Sequence, residues 1–118
     1  MTKELIEDIL LEFTDNGATL NIEEDSPIFL LRIELFNHTK GDTRLYDRLK
    51  QFSLPYNFNI ASVSEVVYDR GKVVQVYITL IDISDGKCGA ITKRGDRCKY
   101  RYKERPYCKI HSNYNPLR

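Results

Sequence analysis

The sequence contains no tryptophan, and no apolar run approaches the roughly 18 residues that a membrane-spanning helix needs. A membrane partner is therefore not expected. The opening MTKELIEDILLEF is acidic and amphipathic, with neither a basic leader nor a small-residue cleavage site. It does not read as a secretory signal, so a reducing cytoplasm is the expected compartment. A Gly-rich phosphate loop is missing too, as is a Ser or Cys nucleophile with a plausible base. Only two histidines occur, and His38 is the one outside the final thirty residues. These absences argue against an enzyme. The dispersed carboxylates suit solvated helix faces and turns; Asp42, Asp47, Glu65 and Asp69 share no spacing that argues for a metal-dependent nuclease.

Acidic residues are what the last quarter lacks, and the whole-chain net charge of +1 conceals it. Residues 1–85 carry 8 Lys/Arg against 15 Asp/Glu, a net of −7; residues 86–118 carry 10 against 2, a net of +8. All three cysteines lie in the basic part. The composition shift divides the chain into an acidic body, residues 1–85, and a basic module, residues 86–118. Two ends of opposite sign can neutralise each other within a monomer or across a dimer, or the basic end can meet a polyanion.

In the body, Leu5, Ile6, Ile9, Leu10 and Phe13 recur at helical spacing among acids, which predicts an amphipathic helix capped by Thr2 and stopped by Asp15-Asn16-Gly17. Ala18, Leu20 and Ile22 alternate with polar residues as a strand. A turn at Glu24-Asp25-Ser26-Pro27 leads into a second strand over residues 28–36. The pattern then repeats. A loop over residues 37–41 and a cap at Asp42 or Thr43 precede a helix with Leu45, Leu49 and Phe52 on one face, ending at Leu54-Pro55-Tyr56. Two strands follow, residues 58–68 and 73–81, joined at Asp69-Arg70-Gly71-Lys72. The expected fold class is α+β: a four-stranded antiparallel sheet with two helices on one face, in αββαββ order, plus a small C-terminal metal-bound module. The body is expected to act as a scaffold, a partner-binding surface or a homo-oligomerisation domain, the last through residues 73–81 if that strand lies at a sheet edge.

The basic module carries the chemistry. Cys88, Cys98, Cys108 and His111 are spaced C-x9-C-x9-C-x2-H. Three cysteines and a histidine are a standard tetrahedral set for one structural zinc per chain. The C-x2-H pair is short enough to reach one ion from a single turn, and each nine-residue interval is expected to be a loop or short hairpin returning to it. Gly89 and Gly95 suit such returns. With four protein ligands, no position is left for water, which excludes catalysis at the metal. A disulfide plus a spare thiol, or simple packing, is the plainer alternative. Neither accounts for every cysteine falling in a basic stretch with too few aliphatic residues for a core of its own, a stretch that needs a staple to be ordered.

The string Cys88-Gly89-Ala90, Thr92-Lys93, Gly95 and Cys98-Lys99, closed by Tyr107-Cys108 and His111, resembles a small zinc-binding motif of bacterial and bacteriophage proteins. There it is appended to unrelated domains, nuclease domains among them. The resemblance implies the same four ligands and a phage, prophage or bacterial source, hence a host cytoplasm. It implies no activity and says nothing of residues 1–85.

Between the second and third cysteines runs Lys99-Tyr100-Arg101-Tyr102-Lys103-Glu104-Arg105-Pro106-Tyr107. In an extended chain the cations Lys99, Arg101 and Lys103 point one way and Tyr100 and Tyr102 the other. Together with Lys93, Arg94, Arg97 and Arg105 they form a candidate nucleic-acid surface, cations on phosphates and a tyrosine on an unpaired base. The alternative role for the tyrosines, of equal weight, is the module's small core. No recognition helix is visible, so contact with DNA or RNA is expected to be sequence-independent. Residues 113–118 are expected to trail as a flexible end. The leading expectation is a small non-enzymatic nucleic-acid-binding zinc protein. The alternative is a phage-encoded interaction module that inhibits a host or defence protein through the acidic body.

Overall fold

The computed structural model describes residues 3–14, 19–25, 27–36, 44–53, 55–68, 70 and 73–116. The elements run α1 (Lys3–Thr14), β1 (Thr19–Asp25), β2 (Ile28–Phe36), α2 (Arg44–Ser53), β3 (Phe58–Tyr68) and β4 (Val73–Asp82). The fold is α+β, with one four-stranded antiparallel sheet in the order β1-β2-β4-β3. Each αββ unit contributes a hairpin, and the two hairpins meet at β2 and β4. Thr2, the stop at Asp15-Asn16-Gly17, Ala18, Ser26, the loop and cap over residues 37–43, Leu54, and Asp69, Gly71 and Lys72 of the last turn lie outside the described residues.

Alternation in the strands sets the core. Phe29 pairs with Leu80, Leu31 with Ile78 and Ile33 with Val76, so these six side chains share one face. They pack with Ile22, Phe58, Ile60 and Val74 and with the apolar stripes of both helices: Ile6, Ile9 and Leu10 of α1, and Leu49 of α2. Leu5, Phe52 and Tyr46 fill in around them. Tyr46 was not expected in that role.

The other face is divided. Toward one end, Ile28 and Ile81 are covered by Ile83, Ile91 and Tyr102, chain that follows β4. Toward the other end, Leu30, Arg32 and Tyr77 stay exposed. The module thus sits on the end of the sheet face opposite the helices.

Two expectations need correction. The strand over residues 73–81 is not an edge: β4 is central, with β2 on one side and β3 on the other, and the edges are β1 and β3. An antiparallel β2–β4 junction joins the two hairpins and places both of these strands inside the sheet. Nor do residues 113–116 trail freely. The Val63 amide, on the outer side of β3, donates to the Pro116 carbonyl (2.9 Å), and the Tyr114 hydroxyl donates to the Ala61 carbonyl. A register shift between Ile60 and Ser62 opens the ladder beside Ala61 and frees that carbonyl for the tyrosine.

Candidate metal centre

Short backbone ladders bring the four ligands together. Cys88 lies beside the Lys87–Arg101 bridge, its amide bonded to the Tyr100 carbonyl (2.8 Å). The interval from Cys88 to Cys98 is a tight hairpin: Ile91 bridges Arg97, the Thr92 amide donates to Asp96 and the Cys98 amide to Ala90. Its tip needs Gly95, whose φ of +87° is one that L side chains rarely adopt. The second interval returns through the Glu104–Tyr107 bridge. After Cys108 the chain makes a single turn, with the His111 amide on the Cys108 carbonyl (3.1 Å), and this carries the imidazole back to the thiols. Both intervals are therefore returns to one point, as the spacing predicts.

The donor atoms of Cys88, Cys98, Cys108 and His111 all lie within 4.8 Å of one another. Cys98 and Cys108 sulfurs are 3.9 Å apart; His111 Nδ1 is 3.6 Å from Cys88 Sγ and 3.3 Å from Cys108 Sγ. A tetrahedral ion with bonds of about 2.3 Å to sulfur and about 2.0–2.1 Å to nitrogen sets edges of about 3.8 Å between sulfurs and about 3.5 Å from sulfur to nitrogen. Those three separations match. The cluster can hold a metal ion with Nδ1 as the nitrogen donor. The sulfurs are too far apart for a disulfide, whose S–S bond is about 2.05 Å, and all three cysteines are free and buried.

The surroundings treat the sulfurs unequally. Burial pushes the Cys88 thiol up to about 11, against amide hydrogen bonds from Cys108 and Ala90. Burial also acts to raise Cys108, but the amides of His111 and Ile110 and the side chains of His111 and Cys88 outweigh it and hold that thiol at about 7. Cys108 is therefore more ready than Cys88 to meet a cation as thiolate. Among the described residues no other group of His, Cys, Asp and Glu is gathered in this way.

The centre is fastened to the sheet. Asn59 of β3, buried at 7% exposure, donates from Nδ2 to the Gly89 carbonyl (2.7 Å) and to the Tyr107 hydroxyl (3.3 Å). Gly89 is required by proximity, because a Cβ there would stand 2.7 Å from Asn59 Cβ. Burial raises the Tyr107 phenol above its ordinary value. Tyr114 packs against Tyr107 (centroids 5.3 Å) and edge-on to His111 (5.9 Å) while its hydroxyl reaches Ala61. The tyrosines flanking the metal cluster thus also join it to β3. The turn from β4 is equally specific: Asp85 takes the Lys87 amide (3.0 Å) and a two-pronged bond from Arg97 (2.7 and 2.8 Å). The Arg97 bonds hold the Asp85 carboxyl below its usual range.

The candidate nucleic-acid residues separate in space and in role. Lys93 and Arg94 occupy the tip of the first hairpin; Lys99, Tyr100, Arg101, Lys103 and Arg105 are exposed on the second interval, Tyr100 at 64%. Arg97 is not among the surface cations. Its guanidinium is engaged by Asp85 and by the Cys88 and Lys87 carbonyls, at 3.3 and 3.1 Å. Tyr102 is half-buried against the sheet, so the two tyrosines do not act as a pair. Sequence reasoning missed Asn59, Tyr114 and the Asp85–Arg97 pair, because a lone polar residue in a strand or an acid in a turn carries no distinguishing pattern. Comparison of this chain with protein-family models, with curated proteins and with solved structures finds no match.

Proposed function

We propose that this is a non-enzymatic zinc protein that binds nucleic acid through the phosphate backbone. Zinc is the ion favoured by a closed, tetrahedral set of three thiolates and one imidazole. Its role is structural, since four protein ligands leave no open position for water or substrate. The bacterial and phage motif that residues 88–111 resemble uses the same donor set.

One observation carries the nucleic-acid reading. Lys93, Arg94, Lys99, Arg101, Lys103 and Lys109 are exposed and form no ion pair among the described residues. The rest of the chain is strongly acidic, yet the module's cations are left for an outside partner. No helix of the module presents a base-reading surface, so contact is sequence-independent. The test is fluorescence anisotropy with single- and double-stranded DNA and RNA over a salt series. Affinity should fall steeply and log-linearly with salt, and Lys93→Ala/Arg94→Ala should reduce that slope by about 2. Absence of binding at low salt, or binding indifferent to salt, sinks the reading.

A second reading draws on the open half of the sheet. Leu30 and Tyr77 are 44% and 37% exposed there, beside the edge strand β1 with Glu23, Glu24 and Asp25. Such a surface suits a protein partner, such as a host enzyme inhibited by the acidic body. Stoichiometric capture of one protein from nuclease-treated lysate, lost on Tyr77→Arg, favours this reading over the first.

A further inference from the structure

Tyr100 is the most exposed aromatic side chain of the metal module, at 64%. Cys98 and Tyr102, two residues to either side, are turned inward, onto the metal cluster and onto the sheet. The chain bends at Tyr100 and leaves its ring outside. The backbone there is fixed: the Cys88 amide donates to the Tyr100 carbonyl (2.8 Å) and the Tyr102 amide to the Gly86 carbonyl (3.1 Å). A ring held out on a fixed backbone loses little further freedom when a flat group settles on it. Among the described residues no hydrogen bond, ring contact or cation engages the side chain.

The charge beside the ring is arranged at a cost. Lys87 and Arg101 are antiparallel bridge partners, and both are exposed. Residues directly opposite in such a pair have Cβ atoms about 4.5–5.5 Å apart on one face, and like charges there repel. The Arg101 guanidinium lies over Gly86, the residue before Lys87, where a Cβ would stand 3.0 Å from Nη1. Lys87, Lys99 and Arg101 form no ion pair among the described residues. Asp82 and Asp85, the acids just ahead of Lys87 in the chain, are bonded to Ser84 and to Arg97. An anion from outside, set between Lys87 and Arg101, relieves the repulsion.

We propose that residues 99–101, with Lys87 opposite, form a seat for single-stranded nucleic acid, one phosphate between Lys87 and Arg101 and an unpaired base on the Tyr100 ring. Phosphate contact alone serves a duplex equally well. A protruding ring does not, because the bases of a duplex are stacked on one another and offer it no face. In a single strand every base has a face to offer, whatever the sequence. The inference rests on the nucleic-acid reading above and names the strand state that the module takes.

The test uses the zinc-loaded full chain. Fluorescence anisotropy over a salt series compares a labelled twelve-residue oligothymidylate with a twelve-base-pair duplex, on the wild type, Tyr100→Ala, Tyr100→Phe and Lys87→Ala. Both replaced side chains are exposed, and one zinc per chain verifies that each variant is folded. The wild type should favour the single strand. Tyr100→Ala should weaken the single strand about tenfold and abolish that preference, whereas Tyr100→Phe, which keeps the ring, should stay within about twofold of wild type. Lys87→Ala should lower the salt slope on the single strand by about 0.7, the loss of one phosphate contact. Equal affinity for both forms, or single-strand binding that Tyr100→Ala leaves unchanged, overturns the seat while the nucleic-acid reading stands. A loss on Tyr100→Phe as large as on Tyr100→Ala also overturns it, because the hydroxyl and not the ring face is then the contact. A slope unchanged by Lys87→Ala overturns the phosphate's place between Lys87 and Arg101. No binding of either form at low salt removes both the seat and the reading it rests on.

Discussion

The two regions of this chain are ordered by different means. Among the described residues, the body buries fourteen apolar side chains in one cluster, drawn from both helices and all four strands. At about 1.5–3 kcal/mol for each large side chain removed from water, such a cluster offsets the entropy of ordering its elements. The module's own cluster is Cys88, Ala90, Cys98 and Cys108, with Tyr107 and Tyr114 beside it. It contains no Leu, Ile, Val or Phe. What the module lacks in apolar volume is offset by a Cys3His cluster able to hold a metal ion and by a seat on the sheet beneath it. A chain can therefore present many cations on a small surface without a core large enough to carry them.

Removing the metal should break this comparison most sharply. Structural zinc in isolated finger peptides contributes apparent binding energies of about 10–16 kcal/mol at neutral pH. A strong chelator, or Cys98→Ser, should abolish amide-exchange protection over residues 86–116 and leave β2 and β4 protected. Elemental analysis should fall from one zinc per chain to none in the variant. If the body melts with the module, the seat on the sheet matters to both and the two regions form one cooperative unit. Leu49→Ala is the mirror experiment. Leu49 is fully buried between α2 and the sheet, and the truncation should cost about 2–5 kcal/mol. The melting temperature should drop while zinc stoichiometry stays at one.

Gly89→Ala probes the join itself. Its new Cβ would meet Asn59 Cβ at 2.7 Å, with backbone behind both atoms, so neither can swing aside. A cost of about 1–3 kcal/mol is expected from the overpacking. Exchange at Val63, whose amide is covered by Pro116, should quicken although the metal is retained. Unchanged exchange at Val63 would mean that the tail grips β3 independently of the Gly89 contact.

How much of this was legible in the sequence follows from the same division. Alternation in residues 28–36 and 73–81 reports which side chains share a face, so both hairpins and the αββαββ order could be read. Ligand spacing reports a metal cluster for a similar reason, since four donors of the right type need few other residues to meet. Neither pattern encodes where one region rests on the other. Ile28 and Ile81 look like ordinary strand residues, and nothing marks them as the floor beneath Ile91 and Tyr102. Arg97 is indistinguishable by type from Lys93 or Arg94, yet it is tied down because Asp85 turns back toward it. The order of strands was hidden as well: β4 is central because the hairpins join through it, a tertiary choice that no local pattern states.

The Asp85–Arg97 pair gives the finest test of that join. Asp85 is 41% exposed and Arg97 only 11%, so solvent screens the carboxylate and the pair contributes at most about 1 kcal/mol despite its two-pronged geometry. Its folded carboxyl is held below the usual range. The contribution is therefore fully present above the unfolded value of about 3.9 and is lost as pH falls through the lower folded value. Asp85→Asn should lower stability slightly at pH 7, and the gap to wild type should close below about pH 4. Acid also protonates the metal ligands, and loss of the metal would free the module that carries Arg97, so the two proteins are compared only at pH values where both keep one metal per chain. A gap that persists undiminished at the lowest such pH would assign Asp85 a geometric role, holding the Lys87 amide at the start of the module, and not an electrostatic one.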